Sequence, residues 1–474
     1  MENEAPLLLP GNRRKTPLLP WVALMEELKR VSFMSAPMVL ISVFQYLLQI
    51  ISVVMAGRLG ELAFSGISIA NSFSNVTGFC ILLGMSGALE TLCGQAYGAR
   101  QYHKLGNFFY SAVIIFFFIG ILVSVLWIFS GKLLILLGEE TSISLEASKY
   151  CIFLIPSIFS YAIFQSLLRY FLSQNFIAPP LITTSAVLCL YIPLCWILIY
   201  KLELGIGGGA LAYGLAFWLN LALLGTYMKF SSSCERSRKL VKKDVLMSIK
   251  DFVRLGIPSA LMSSLEWWSP DLLVLLSGHL PNPELETSAL SICVTTISLH
   301  YLVSTAFGFA ASIRVSNELG AGNERAAQVA VGAIMTLAVT ESVIVSIVLF
   351  FFRHNLGYAY TNNAEVVNLV AELCPITCLC IAVQGILVIL SGVTRGCGLQ
   401  HLGAYINFGA YYLVGIPLAG LLGFVLHFGV KGLLIGLFAG AAVESFLLAL
   451  VTALTNWHEQ ARKAQERALE GTLL

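Results

Sequence analysis

The chain has 474 residues, of which 57% are hydrophobic and only 11% charged, with a mean hydropathy of +0.83. Soluble domains average about 25% charged residues, so the composition excludes an ordinary soluble protein. A net charge of +2 leaves no electrostatic footprint for nucleic acid, and eleven cysteines, an odd number scattered through apolar runs, do not make a disulfide scaffold.

Residues 1–30 read as a polar tail with no apolar core of the kind a cleaved signal peptide needs, so the first hydrophobic segment is expected to serve as its own insertion signal. Twelve apolar segments of spanning length follow, at 31–56, 65–92, 106–130, 147–170, 180–200, 206–228, 252–278, 287–313, 326–352, 367–392, 402–424 and 430–455. A basic linker at 229–251 divides them six and six. The expected organisation is a first lobe at 31–228, a second at 252–455 and a charged tail at 456–474. Of the 28 Lys and Arg, 21 fall on the tails and even-numbered loops, which predicts cytosolic termini. Cys374, Cys378 and Cys380 lie in an apolar segment without His or acid at ligand spacing, so they read as buried hydrophobes rather than a metal site.

Within the seventh segment the stretch 256–278 is the unusual one. It carries Glu266 at its centre, and a carboxylate at bilayer depth costs about 2.5–3.5 kcal/mol on insertion scales. Pro270 removes the helical partner of the Glu266 carbonyl, so a bend is expected there. On a 3.6-residue helix Ser259, Met262, Ser263, Glu266 and Pro270 share one face, a small, polar stripe suited to a cavity wall.

The two halves repeat. Ser35-Ala-Pro37, Gln45 and Ala56-Gly57 answer Gly256-Ile-Pro258, Glu266 and Ser277-Gly278 at an offset of 221. Gly98-Ala99 answers Gly320-Ala321 at 222, and Pro156 with Gln165 answers Pro375 with Gln384 at 219. Six spans per half give both copies one membrane orientation, hence a parallel repeat with two lobes facing a central cleft.

The stretches ETLCGQAYGA (90–99), LEWWSPDLLVLLSG (265–278), RVSNELGAGN (314–323) and LSGVTRGCGLQHLGAYINFGAYYLVGIPLA (390–419) resemble the multidrug and toxic compound extrusion family, and most closely its plant branch. The resemblance covers essentially the whole chain. It implies an all-α membrane protein of twelve helices in two six-helix lobes, exchanging organic solutes such as alkaloids or flavonoids for protons or sodium. Members of the eukaryotic branch commonly pair the acid matching Glu266 with a second acid on the tenth helix. Gln384 stands there, so this chain departs from the pattern.

The four related positions are thus Gln45, Gln165, Glu266 and Gln384, three amides and one acid. Glu266 is expected to bind protons and cationic cargo in competition, taking a proton from an acidic compartment and releasing it to neutral cytosol. Gln384 offers hydrogen bonds without titrating. Trp267, Trp268 and Tyr301 offer faces to aromatic or cationic cargo, in competition with packing against lipid. Asp271, His300, Glu341 and Glu444 are further polar groups at depth, to be weighed against interhelical anchoring. Glu90 and Arg169, near helix ends, are expected to snorkel. Pro258, Pro270, Gly98 and Gly320 are expected hinges. Asn75-Val76-Thr77 fits a glycosylation sequon inside a span and is discarded.

No cofactor is expected beyond a proton gradient, with sodium the lesser alternative; the chain is expected to work as a monomer in the lipid bilayer, with no nucleic-acid partner. Glu4-Ala-Pro-Leu-Leu8-Leu9 fits an acidic dileucine sorting signal, giving the vacuolar membrane or the plasma membrane as the location. Two competing transport readings are a lipid-linked substrate flippase and a carrier of organic anions such as citrate; a channel would need neither two lobes nor a titrating acid. The spans hold almost no Lys or Arg for a pyrophosphate, and no His or Asp cluster for an enzyme.

Overall fold

A computed structural model of the chain describes residues 20–240 and 242–469. The Leu8-Leu9 signal lies outside the described residues. Among them the regular structure is helical throughout, without a strand. The long helices, in chain order, are α1 (Pro20–Gly57), α2 (Glu61–Gly98), α3 (Tyr102–Ile128), α4 (Thr141–Ser173), α5 (Ala178–Lys201), α6 (Gly205–Phe230), α7 (Lys242–Ser277), α8 (Pro283–Gly320), α9 (Glu324–Phe351), α10 (Ala364–Cys397), α11 (Gln400–Val425) and α12 (Gly429–Leu454). A shorter helix, α13 (Trp457–Leu469), follows.

Eleven of the described helices are long and apolar enough to cross a membrane. The long helix that misses that standard is α7, the one interrupted by Glu266, Asp271, Pro258 and Pro270. It is nonetheless packed among the others, against α2, α3 and α11. Lipid alone would not hold such a sequence; neighbouring helices have to cover its polar face. The helix runs on through both prolines.

The helices outrun the apolar segments. The 38 residues of α8 span about 57 Å at the usual rise, against a hydrocarbon core of about 30 Å. The projecting ends are polar, which is why hydropathy did not see them. At 229–251 the expected linker is only partly a loop. α6 stops at Phe230, a short turn follows, and α7 begins at Lys242. Arg238 in that turn donates to the carbonyls of Met228 and Ser231 at 3.1 and 3.3 Å, capping the end of α6. At its start α10 has Asn363 accepting from the Glu365 N–H at 3.0 Å, and Gly398 at φ 79° ends it in the left-handed conformation glycine favours.

The apolar core falls into one large cluster from α1–α6, reaching over to Phe252 and Ala260 of α7 and to Ala306, Ala310 and Ile313 of α8, and smaller ones from α7–α13, one of which takes in Val31 of α1. Where the two sets of helices meet, α2 packs on α7, α8 and α10. That contact is reciprocal. A Cβ on Gly98 would strike the backbone of Asn317 and Ala321, and one on Gly320 would strike the backbone of Gln95. Gln95 and Asn317 stand 222 residues apart, as do Gly98 and Gly320, so the seam has the two-fold character of a parallel repeat. Here α2, α8 and α10 all finish, and α13 packs beneath them through Ala461, Ala464 and Ala468, while Arg467 donates to the Cys397 carbonyl at 3.0 Å. We call this the closed end.

Candidate functional site

Between the two sets of helices lies a cavity of about 410 Å³. All four repeat-related positions, Gln45 on α1, Gln165 on α4, Glu266 on α7 and Gln384 on α10, line it. The repeat therefore delivers one polar side chain from each of two helices per lobe to a common space. In the first lobe Gln165 Nε2 donates to Gln45 Oε1 at 3.0 Å, so the amides satisfy each other. The second lobe is less settled. Oε1 of Glu266 and Oε1 of Gln384 are buried without a hydrogen-bond partner, while the Tyr301 hydroxyl sits beside the Glu266 carboxyl.

Local helix geometry widens the wall. α2 opens into a π-helical turn at Asn75–Phe79, and α11 does so at Phe408–Gly415. Such turns recur at functional sites because they free a backbone group and re-aim side chains. Asn75, Phe79 and Tyr411 from these turns all face the cavity. The sequon at Asn75 marked a cavity residue that sequence reasoning set aside.

Aromatic lining comes from both lobes, including Tyr161, Tyr213 and Phe309 as well as Trp267, Trp268 and Tyr301. The Trp267 ring meets Tyr301 edge-on at 5.2 Å, and its Nε1 donates to the Tyr301 hydroxyl at 3.3 Å. Trp267 lines the cavity with 40% of its surface exposed. Exposed Ser72 and Asp271 mark the open mouth, and buried Arg169 and Leu172 the floor toward the closed end.

Several expected residues lie elsewhere. His300 and Glu341 are not on the cavity; they pair with each other between α8 and α9, Nε2 to Oε2 at 3.0 Å, as an interhelical anchor. Glu444 is fully buried behind the wall, with Tyr411 and Asn407 as its polar neighbours. Pro258 is inside α7 and off the cavity, whereas Pro270 lines it. Gly98 and Gly320 sit at the seam, where close backbone approach requires glycine.

Glu90 and Arg169 do not snorkel. Each side chain is 1% exposed, and Arg169 Nε lies 3.0 Å from Glu90 Oε1. From the other lobe Arg395 Nε approaches Glu90 Oε2 at 3.5 Å. The Arg169 guanidinium also lies 3.8 Å from the centre of the Phe309 ring of α8. Polar ties flank this group. Thr91 donates to the Arg395 carbonyl at 2.5 Å, Gln95 to Gly396 O at 3.0 Å, Asn317 to Ser173 O at 3.2 Å and Ser259 to Gly84 O at 2.6 Å. Glu90 and Arg395 stand inside the stretches ETLCGQAYGA and LSGVTRG, which was the available signal; read singly, Glu90 looked like a helix-end charge.

The MatE family model matches the chain twice, at residues 37–197 and 258–421, with starts 221 residues apart. Protein DETOXIFICATION 10 of Arabidopsis thaliana is 48% identical over 441 residues, covering 93% of this chain and 91% of its own length. Protein DETOXIFICATION 6 of the same plant is 46% identical over 474 residues, covering 99% and 98%. The crystal structure of the eukaryotic MATE transporter AtDTX14 superposes with a TM-score of 0.90 at 45% identity, over 94% of this chain and all of that one. The Vibrio cholerae MATE transporter VcmN in its bent form shares the fold alone, with a TM-score of 0.81 at 18% identity over 94% of this chain and 99% of that one. Two copies of the repeat, a twelve-helix fold and a cavity between the lobes thus agree with a match along nearly the whole length: the chain belongs to the MatE family and is a membrane transporter of the detoxification type.

Proposed function

We propose that the protein is a proton-coupled antiporter that exports cationic or aromatic organic solutes, such as alkaloids or flavonoids, from the cytosol. One observation carries this reading: Glu266 is a carboxyl buried at membrane depth, with an unpaired oxygen, on the wall of an aromatic-lined cavity. A carboxylate in that setting is stabilised by whatever cation arrives, be it a proton or an organic cation. Binding of one excludes the other, and that competition suffices for exchange. Gln45, Gln165 and Gln384 add hydrogen bonds without titrating. Arg169, the cationic group on the cavity wall, is already paired with Glu90, which disfavours holding a pyrophosphate or citrate there.

We place the closed end on the cytosolic side with both termini, because most of the Lys and Arg flank it. The membrane is then the vacuolar or the plasma membrane, and the monomer is the working unit. The test is Glu266→Gln in reconstituted vesicles carrying a pH gradient. The amide keeps the size and hydrogen bonding but cannot titrate. Cargo flux should lose its response to the gradient while the protein still inserts and stays monodisperse. Gradient-driven flux at the unmodified rate would refute Glu266 as the coupling group.

A further inference from the structure

The last helix belongs to the second lobe by connectivity but reaches across the seam. α13 follows α12 after a break at Thr455 and Asn456, and its outward polar ties lead to second-lobe helices. Arg467 donates to the Cys397 carbonyl at 3.0 Å, which sets a cation on the C-terminal end of α10. His458 Nδ1 lies 3.1 Å from Glu324 Oε2 at the start of α9. Gln465 rests against the turn after α8, where a Cβ on Gly322 would come within 2.5 Å of its Nε2. Ala461 and Ala464 join the apolar cluster that holds Leu319 of α8 with Val393 and Cys397 of α10. Yet α13 also packs on α2, a first-lobe helix, and among the described residues no hydrogen bond or ion pair of α13 reaches α2.

We propose that α13 is a strap: anchored on the second lobe, it rests on α2 and holds the closed end shut. When the lobes part at this end, the polar anchors keep α13 on α8, α9 and α10, and its contact with α2 is the one that breaks. The residues it buries are Ala461, Ala464 and Ala468, at 5%, 0% and 3% exposure. Their spacing puts them on one face of the helix. A face of single methyl groups lies close against helix ends but buries little apolar area, so the contact can be made and broken in every cycle. On the outer face Arg462 pairs with Glu466 at 3.0 Å and Lys463 with Glu459 at 2.7 Å, which supports the helix without tying it to either lobe. The strap thus biases the seam toward the closed state without fixing it there. The inference does not draw on Glu266 or on what drives transport.

Two reporters read the strap from the two sides. Ser316 is 0% exposed on α8 and faces Gly94 of α2 across the seam, and Ser72 is exposed at the open mouth of the cavity. In reconstituted Ser316→Cys protein, a membrane-impermeant maleimide applied to the closed end should react slowly. Labelling of the parent without this cysteine is subtracted. Removing residues 457–474 deletes the strap, and Ala464→Glu puts a charge on its buried face while leaving every span untouched. Each should speed labelling about tenfold, a shift of about 1.4 kcal/mol in the opening equilibrium. Arg462→Gln, on the outer face, should leave the rate unchanged. In Ser72→Cys protein the same two changes should slow labelling from the open side, because lobes that part at one end close at the other. An unchanged Ser316→Cys rate in the truncated protein would overturn the strap; where that protein is not monodisperse, Ala464→Glu decides alone. Faster labelling at both reporters would also overturn it, since that is general loosening. Gradient-driven flux in Glu266→Gln would refute the coupling role of that residue and leave both labelling results untouched.

Discussion

Replacing Gly320 by alanine puts a methyl group where the opposite lobe's backbone already is. A Cβ at that position lies 2.8 Å from both the carbonyl carbon and the Cα of Gln95, and nearer still to its oxygen. These are backbone atoms of α2, so no side-chain rotation relieves the contact, and the helices must part. Overpacking of this kind costs about 1–3 kcal/mol. The cost exists only while the lobes touch, so it enters the equilibrium between closed and open seams directly, as roughly a 5- to 150-fold shift toward the open one. Maleimide labelling of Ser316→Cys from the closed end measures that shift. Gly225→Ala is the control, since a Cβ there meets nothing within 4 Å. Faster labelling in Gly320→Ala and an unchanged rate in Gly225→Ala are expected. Equal rates in the two variants would show that the seam opens without separating α2 from α8, and the account of a glycine-permitted contact would fail.

Gln384→Glu adds a second titrating group to the cavity that Glu266 faces, so the pH profile of transport should change from one step to two as the acids influence each other; an unchanged single-step profile would show that position 384 does not feel Glu266. His300 and Glu341 join α8 to α9 away from the cavity, at 3.0 Å. His300→Ala should therefore lower thermal stability by about 1–3 kcal/mol, the cost of leaving a buried partner unsatisfied, with gradient-driven flux per folded molecule retained. Loss of coupling in the folded variant would put the pair back into the proton path.

Much of the architecture was legible because lipid imposes it. A chain whose backbone must satisfy itself within hydrocarbon shows its spans as apolar runs. Glu266 stood out as an acid inside one of them, and the repeat offsets tied Gln45 to it and Gln165 to Gln384. The repeat gave two pairs of equivalent positions, and equivalent positions in two symmetric lobes face the same space. What the sequence left hidden is of another kind. Hydropathy is local, so it saw neither the polar extensions of α7 and α8 nor the reason α7 can tolerate its acids. Glu90, Arg169 and Arg395 lie 79 and 226 residues apart along the chain, at 90, 169 and 395. Each has the ordinary look of a charge near a helix end. Only the approach of α2, α4 and α10 turns them into one buried cluster, and only that same packing separates His300 and Glu341 from the cavity. Burial and partnership are properties of the space between helices. A single sequence fixes which side chains each helix carries along its length, and the tertiary structure decides which of them meet.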